Sequence, residues 1–183
     1  MSAPVLVAYA SHDGHAAAIA TRLAAGLGGA APHDLARDAA PGAQLEHAPL
    51  AVLVAAVRYG KHLPAAERFL EAYTGLAAPP PLALASVNLT ARKPEKNTPA
   101  TNPYLKKLTA RHGLAPAHQA VFAGKLDYPR YRWFDRQMIR LIMALTGGPT
   151  DATTVVDYTD WAAVDAFAAE LGRALAAPAP ASG

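Results

Sequence analysis

The sequence contains no cysteine. This absence excludes a disulfide framework, a zinc ribbon, an iron–sulfur cluster and a cysteine nucleophile. Charged residues are also scarce, at 17% of 183 positions, and 17 Lys and Arg against 14 Asp and Glu leave a formal net charge of +3. Such a mild surplus does not predict binding to nucleic acid. With 52% hydrophobic residues, the chain is long enough to bury a core without a covalent or metal staple.

Long apolar runs and glycine-rich phosphate motifs are missing as well. The longest uncharged run, 72–91, contains Gly75 and three consecutive prolines, so it does not predict a helix that crosses a bilayer. The N-terminus has no basic region ahead of its first apolar run, and we therefore expect no signal peptide and a cytoplasmic protein. Neither Gly-x-Gly-x-x-Gly nor Gly-Lys-Ser/Thr occurs, which disfavours dinucleotide and P-loop binding. No metal site is predicted.

Short apolar runs alternate with longer amphipathic stretches, the pattern of an α/β protein whose parallel sheet is covered by helices on both faces. Five strands are predicted at 5–10, near 33–35, and at 51–57, 82–87 and 119–123, with a further strand-like piece at 154–158. Helices are predicted at 16–27, 64–74, 104–112 and 161–175. We expect one doubly wound domain over 1–175 with strand order 2-1-3-4-5, and a disordered tail over 176–183.

Two turns at the predicted carboxyl edge of the sheet are candidate binding elements. The first, Ser-His-Asp-Gly-His at 11–15, opens a helix, where free backbone N–H groups bind anions such as a phosphate monoester. A plain structural turn explains this segment equally well. The second, Arg-Tyr-Gly at 58–60, places an aromatic ring at the same edge, which suits a flat heterocycle or else a surface tyrosine packed on its own loop. No acidic phosphoacceptor stands there, which excludes a response-regulator receiver.

Residues 125–150 interrupt the α/β pattern with a basic amphipathic segment. At about 100° per residue, one face collects Phe134, Met138, Leu141, Ile142 and Leu145, and a stripe on another face collects Arg132, Arg136 and Arg140. Such a helix suits the headgroup zone of an anionic membrane. The alternative is a helix docked on its own domain with its arginines in solvent. A nucleic-acid patch is a poorer third interpretation.

Several longer blocks carry a resemblance to a known family. Residues 86–96 are Ser-Val-Asn-Leu-Thr-Ala-Arg-Lys-Pro-Glu-Lys, and residues 128–136 are Tyr-Pro-Arg-Tyr-Arg-Trp-Phe-Asp-Arg. Together with Thr-Pro at 98–99, Thr-Asn at 101–102, Gly-Gly at 147–148 and Tyr-Thr-Asp-Trp at 158–161, they closely resemble the bacterial flavodoxin-like protoporphyrinogen IX dehydrogenases that use a quinone. The resemblance covers about 52–171, whereas the first 50 residues match mainly in fold pattern.

The resemblance implies a flavodoxin-like, doubly wound, five-stranded parallel sheet of the long-chain type, in which an insertion at 125–150 splits the fifth strand. It also implies non-covalent FMN and the oxidation of protoporphyrinogen IX to protoporphyrin IX in haem biosynthesis. The electrons would pass to a respiratory quinone, ubiquinone or menaquinone. The protein would then lie at the cytoplasmic face of the bacterial inner membrane, in peripheral contact with it.

Carried onto this sequence, the resemblance assigns the flavin to three loops: Ser11, His12, Asp13, Gly14 and His15; Arg58, Tyr59 and Gly60; and Ser86, Val87, Asn88, Leu89 and Thr90. Cationic side chains suit the two propionates of the substrate, and the candidates are Arg92, Lys93, Lys96, Arg130 and Arg132. Membrane contact is assigned to Trp133, Phe134, Met138, Leu141, Ile142 and Leu145. No single side chain stands out as a catalytic acid or base.

The first loop departs from the usual flavodoxin pattern, because Asp13 and Ala16 stand where hydroxyls are common. An unpaired carboxylate beside a phosphate is unfavourable. We therefore expect backbone amides and His12 or His15 to carry much of the phosphate binding, and FMN to be held less tightly than in ordinary flavodoxins.

Two other functions fit the same residues. One is a flavodoxin-like quinone reductase or electron carrier without porphyrin activity, which would accept electrons from a nicotinamide cofactor or a partner reductase. The other is a flavin-free peripheral membrane binding protein, in line with the hydroxyl-poor first loop and the basic helix.

Overall fold

The computed structural model describes residues 4–29, 31–38 and 41–177. Its strands are β1 (Leu6–Ala10), β2 (His33–Asp34), β3 (Ala51–Arg58), β4 (Lys61–His62), β5 (Leu82–Asn88), β6 (His118–Ala123), β7 (Lys125–Asp127) and β8 (Val155–Asp157). Its helices are α1 (His15–Gly26), α2 (Ala43–His47), α3 (Pro64–Thr74), α4 (Pro103–His112), α5 (Trp133–Thr146) and α6 (Trp161–Ala176). Short 3₁₀ turns lie at Leu89–Arg92, Pro94–Lys96 and Tyr128–Arg130.

The main sheet is parallel, in the order β2-β1-β3-β5-β6, which confirms the order predicted for five strands. Ala51 of β3 lies opposite Leu6 of β1 and Leu82 of β5, so the three central strands are in register. β4 adds a short antiparallel hairpin to the end of β3. Because the carboxyl ends of parallel strands meet at one edge, the loops after β1, β3 and β5 converge there.

Both faces of the central strand β3 are buried, which explains its continuous apolar sequence. Leu53 packs in a core with Phe69 of α3 and Leu105 of α4. On the opposite face, Val52 packs in a second core with Ile19 of α1 and Val164 of α6. The alternation of side chains along one strand therefore holds helices on both sides of the sheet.

The insertion departs from the predicted arrangement in one respect. The resemblance implied that it splits the fifth strand, but β8 does not return to the main sheet and instead pairs antiparallel with β7. The fifth strand, β6, therefore stays in one piece. The physical reason is that the insertion has its own small core, in which Leu126 and Tyr128 pack with Met143 of α5.

Two further predictions differ in detail. The five-residue helix α2 was not predicted, since it is too short to show a helical period. The last helix, predicted to end at 175, extends to Ala176, so the first residue of the predicted tail is helical, and residues 178–183 lie outside the described part of the chain. Within the described residues, no helix combines the length and the apolarity needed to cross a bilayer.

Candidate flavin site

A cavity opens at the carboxyl edge of the sheet, between the ends of β1 and β3, where doubly wound sheets bind their ligands. Among the predicted site residues, those that line it are Ser11, His12, Asp13, His15, Arg58, Val87, Asn88, Leu89 and Arg130. The predicted residues absent from its lining are Gly14, Tyr59, Gly60, Ser86, Thr90, Arg92, Lys93, Lys96 and Arg132. The three predicted flavin loops thus meet at one cavity, although not every residue in them faces it.

The first loop ends in an uncapped helix. Gly14 takes a left-handed backbone, with φ of 85°, and its N–H donates to Ser11 Oγ at 3.1 Å. No side chain caps the beginning of α1, whereas Asn102 caps α4 and Asp160 caps α6. The first backbone N–H groups of α1 therefore lack helical partners and lie where an anion would be bound.

Asp13 is paired, contrary to the expectation of a lone carboxylate in this loop. Arg58 Nη1 lies 3.3 Å from Asp13 Oδ2 and 2.9 Å from His12 Nδ1. His12 Nδ1 also lies 2.9 Å from Asp13 Oδ1. The guanidinium at the end of β3 thus offsets the negative charge of the first loop. The cavity lining contains three cationic side chains, Arg58, Lys125 and Arg130. It contains two carboxylates, Asp13 and Asp127, so the charge balance favours an anionic ligand.

The same guanidinium also contacts the insertion. Arg58 Nη2 lies 2.8 Å from Asp135 Oδ2, and the Tyr59 hydroxyl donates to the other oxygen of Asp135. The hydrogen bond from Tyr59, together with Arg58, holds the pKa of Asp135 below its usual range. Tyr59 has a φ of 49°, a left-handed conformation that costs a non-glycine residue roughly 1–2 kcal/mol. This tight turn aims Arg58 and Tyr59 at the first turn of α5.

His15 uses its ring N–H within the fold and does not donate it to a bound anion. Its Nε2 lies 2.6 Å from Thr159 Oγ1, and that hydroxyl donates to Ala123 O at 2.8 Å. Nε2 therefore carries the proton, and Nδ1 is an acceptor in the neutral ring. Burial, aided by Lys125, lowers the pKa of His15, which keeps the ring neutral. In this arrangement His15 has no ring N–H left for a phosphate, and the role of His12 stays a prediction.

The third loop divides between the cavity and the protein interior. Val87, Asn88 and Leu89 line the cavity, but Ser86 is fully buried and does not reach it. Ser86 Oγ instead lies 2.9 Å from His62 Nε2 and accepts from Asn88 Nδ2 at 3.0 Å. The Ser86 hydroxyl is therefore paired within the fold rather than offered to the cavity.

The cationic residues predicted to bind the propionates lie in different environments. Arg92 donates to Leu89 O at 2.9 Å and to Thr146 O at 3.1 Å, so its guanidinium caps the carboxyl end of α5, a favourable place for a cation. Arg92 is thus committed inside the fold, which contradicts its predicted role. Lys93 and Lys96 are half-buried, and Arg132 is exposed, all three outside the cavity lining. Arg130 is exposed and lines the cavity.

Helix α5 exposes its apolar face instead of packing it against the protein. All six residues predicted to contact a membrane are exposed, from 37% for Met138 to 79% for Leu145: Trp133, Phe134, Met138, Leu141, Ile142 and Leu145. Two arginines of the stripe make contacts within the fold instead: Arg136 Nε donates to Tyr128 O at 3.1 Å and Arg140 Nε to Thr150 O at 2.7 Å. The alternative with the arginines in solvent is therefore wrong for these two residues.

Apart from Arg130, the insertion residues that line the cavity were not predicted from the sequence. Lys125, Asp127, Tyr131 and Ile139 line it, and Lys125 Nζ lies 3.4 Å from Asp127 Oδ2. The sequence did show which of these residues share a face. Alternate residues of a strand do so, as 125 and 127 do, and residues four apart in a helix do so, as 135 and 139 do. The spacing of these residues does not show whether either face points toward the cavity.

Comparison with known proteins places the chain in a family. A model of the flavodoxin domain matches residues 6–153. Proteins named protoporphyrinogen IX dehydrogenase (quinone) from Escherichia coli K12 and O157:H7 are 45% identical to the chain over 130 residues, which are 71% of this chain and 72% of each relative. The chain belongs to this flavodoxin-like dehydrogenase family.

A family member from Leishmania major bears the same name. It is 45% identical over 120 residues, which are 66% of this chain and 52% of that relative, so the chain spans about half of its length. The flavodoxin domain indicates a flavin cofactor for the family, in agreement with the three loops that meet at the cavity. The domain match covers every cavity-lining residue, including those of the insertion, and leaves only β8 and α6 beyond its end.

Proposed function

We propose that this chain catalyses the FMN-dependent oxidation of protoporphyrinogen IX to protoporphyrin IX, with a respiratory quinone, ubiquinone or menaquinone, as electron acceptor. The observation that carries the proposal is the 45% identity to relatives that bear the name of this reaction. The reaction removes six electrons in three two-electron steps, and three quinones become three quinols. The hydrogens lost by the substrate balance those gained by the quinones.

The first loop suits the phosphate of FMN. The uncapped beginning of α1 offers backbone N–H groups, Ser11 shapes the turn, and the Arg58 guanidinium beside His12 supplies positive charge. When bound, FMN would accept the two electrons of each step. Because a single hydroxyl serves the loop and Asp13 competes for Arg58, FMN is expected to bind less tightly than in ordinary flavodoxins, and nanomolar dissociation in a calorimetric titration would contradict this.

The insertion supplies the substrate side of the cavity. Arg130 is exposed at the lining and provides a guanidinium for a propionate, while Lys125 offers a second cation whose partner Asp127 lies at 3.4 Å. Tyr131 and Ile139 add apolar surface to the same wall, which suits a tetrapyrrole and excludes water from it. These residues bind and orient the substrate, and we assign none of them a proton-transfer role.

The outer face of α5 is proposed to lie against the cytoplasmic face of the bacterial inner membrane. Its exposed apolar residues stand on the side of the helix opposite Met143, which packs in the insertion core. A peripheral helix buries such a face at the boundary between headgroups and acyl chains. Since Ile139 of the same helix lines the cavity, α5 would separate the flavin from the lipid that carries the quinone.

The reaction is tested anaerobically with purified protein, protoporphyrinogen IX and a menaquinone analogue, with and without added FMN. Porphyrin fluorescence is expected to rise only when protein, FMN and quinone are all present. Uptake of FMN without a rise in fluorescence would contradict the proposal and favour a quinone reductase or electron carrier. Refusal of FMN would favour a flavin-free membrane binding protein.

Membrane contact is tested by co-sedimentation with liposomes that contain anionic lipid. Replacement of Phe134, Leu141 and Leu145 by Ser is expected to reduce the bound fraction at least tenfold, because each buried apolar side chain contributes roughly 1.5–3 kcal/mol. The matched control replaces Val155 and Leu175, exposed apolar residues outside α5, by Ser. Equal loss of binding in both variants, or in neither, would contradict a specific role for α5.

A further inference from the structure

Asp135 joins the insertion to the turn that follows β3. It lies in the first turn of α5, where it receives the Arg58 guanidinium at 2.8 Å and the Tyr59 hydroxyl on its two oxygens. Tyr59 and Asp135 are 76 positions apart in the sequence, so their contact is tertiary. Both side chains of the ion pair are largely shielded, with 13% exposure for Arg58 and 22% for Asp135.

Arg58 is also the residue that connects this contact to the first loop. Its Nη1 lies 3.3 Å from Asp13 while its Nη2 lies 2.8 Å from Asp135, so one guanidinium is shared by two carboxylates on different elements. The guanidinium also lies over the Tyr59 ring, 5.0 Å from its centroid. Any change at the first loop that moves Arg58 therefore acts on Asp135, and a shift of α5 acts back on the first loop.

We propose that Asp135 is a positioning residue that couples flavin binding to the docking of the insertion. The proposal rests on the proposed function, since it takes FMN as the ligand of the cavity. Asp135 fixes the directions of Arg58 and Tyr59 at the cavity edge before the flavin arrives. It also holds the first turn of α5 in place, so that Ile139, one turn further along the helix, stays in the cavity wall.

The coupling is reciprocal by thermodynamic necessity. If docking of α5 makes the cavity more complete, and so strengthens FMN binding, then bound FMN must strengthen docking by the same factor. Coupling between two sites through such contacts typically amounts to about 5-fold to 150-fold in affinity. Loss of the Asp135 carboxylate leaves Tyr59 without this partner and leaves Arg58 with its polar contacts to the first loop alone. The two events are then uncoupled without removal of a residue from the cavity lining.

The test compares the wild type with Asp135→Asn and with a matched control, Asp151→Asn. Asp151 is a carboxylate directly after the insertion, and it accepts hydrogen bonds from Thr153 rather than from the flavin loops. FMN affinity is measured by calorimetry, and amide hydrogen exchange of α5 is measured with and without FMN. In the wild type and in Asp151→Asn, FMN is expected to slow exchange in α5.

In Asp135→Asn, FMN is expected to bind about tenfold more weakly, in the lower part of the usual range of coupling, and to leave exchange in α5 unchanged. Asp135→Glu retains the charge and is expected to restore part of both effects, which a variant that merely fails to fold would not show. A double-mutant cycle with Tyr59→Phe is expected to be non-additive, because both changes break the same contact.

The outcomes separate this proposal from the assignment of the cofactor. If Asp135→Asn binds FMN as tightly as the wild type, or if FMN still slows exchange in its α5, the coupling is overturned while the cofactor stands. If the wild type itself refuses FMN, the cofactor assignment is overturned, and the coupling with it. Additive effects of Asp135→Asn and Tyr59→Phe would also overturn the coupling.

Discussion

Four buried polar side chains connect β4, β5 and the beginning of α4: His62, Ser86, Asn88 and Asn102. They are the buried polar side chains of the described residues, and each has a hydrogen-bond partner among the others. Because an unpaired polar group costs free energy inside a protein, such a network requires all its members at once. It anchors the polar loop before α4, from which Asn88 and its neighbours face the cavity.

Asn102 is the most connected member of this network. Its Oδ1 accepts from the N–H groups of Tyr104 and Leu105, both at 3.2 Å, and its Nδ2 donates to Lys96 O at 2.9 Å. Asn102→Ala removes a helix cap and leaves buried groups unpaired, so the free energy of unfolding is expected to fall by about 3 kcal/mol. The exposed Asn97→Ala is the control, expected to change it by less than about 0.5 kcal/mol. Similar values for both in urea unfolding would contradict the network's role.

His62 makes stability depend on pH. Burial lowers its pKa from 6.5 to about 4 in the folded protein, so the unfolded chain takes up the proton first as the pH falls. Stability is therefore expected to decrease from about pH 6.5 down to about pH 4, by on the order of 2–3 kcal/mol from this group. His62→Gln should reduce the difference in unfolding free energy between pH 7 and pH 4.5, whereas the exposed His47→Gln should not. An unchanged pH dependence in His62→Gln would refute the assignment.

At the scale of elements, α1 and α6 approach each other through a glycine. A Cβ atom added at Gly26 would lie 2.8 Å from Ala168 Cβ, a contact that neither short side chain can relieve by rotation. Gly172 of α6, by contrast, has open space around the position of its Cβ. Gly26 is the last residue of α1, whereas Gly172 lies in the interior of α6, so the two glycines have different roles.

This difference predicts opposite effects of the same substitution. Gly26→Ala must push α1 and α6 apart, and the cost of overpacking, roughly 1–3 kcal/mol, is expected to exceed the gain in helix propensity. Gly172→Ala meets no atom and is expected to raise the free energy of unfolding by roughly 0.5–1 kcal/mol. Thermal and urea unfolding of both variants measures this. A stabilising Gly26→Ala would show that the helices are not closely packed there.

The elements also show where prediction from sequence succeeds. The helix predicted at 64–74 is confirmed at both ends, because Pro64 marks its first turn and its apolar period is regular. The buried strands are confirmed because continuous apolar runs between turn residues leave few alternatives. The converging loops follow from topology alone, since the carboxyl ends of parallel strands share an edge.

Prediction fails where the outcome depends on tertiary contact. A helical period shows which side chains of α5 share a face, but not which face docks. The alternative that placed the arginines in solvent therefore fails for Arg136 and Arg140, which bind backbone carbonyls. Arg92 was expected to bind substrate, yet the carbonyl that it caps lies 54 positions away in the sequence. Asp135 was not predicted, because only the fold brings it to Arg58 and Tyr59.

At the scale of the whole molecule, the sheet gathers the flavin loops at one edge and the insertion closes the cavity from the other side. Helix α5 contributes Ile139 to the cavity and an exposed apolar face to the surroundings. This arrangement would let a protein with no membrane-crossing helix in its described residues exchange electrons with a quinone held in lipid. We therefore propose that a bound flavin couples porphyrinogen oxidation to quinone reduction.

The most direct measurement is the ratio of quinol formed to porphyrin formed, under anaerobic conditions, with FMN-loaded protein and a quinone in anionic liposomes. We expect three quinols for each protoporphyrin IX, and neither product when FMN is left out. Porphyrin formation that proceeds without quinone reduction, or quinol formation that needs a nicotinamide cofactor and leaves protoporphyrinogen IX unchanged, would contradict it.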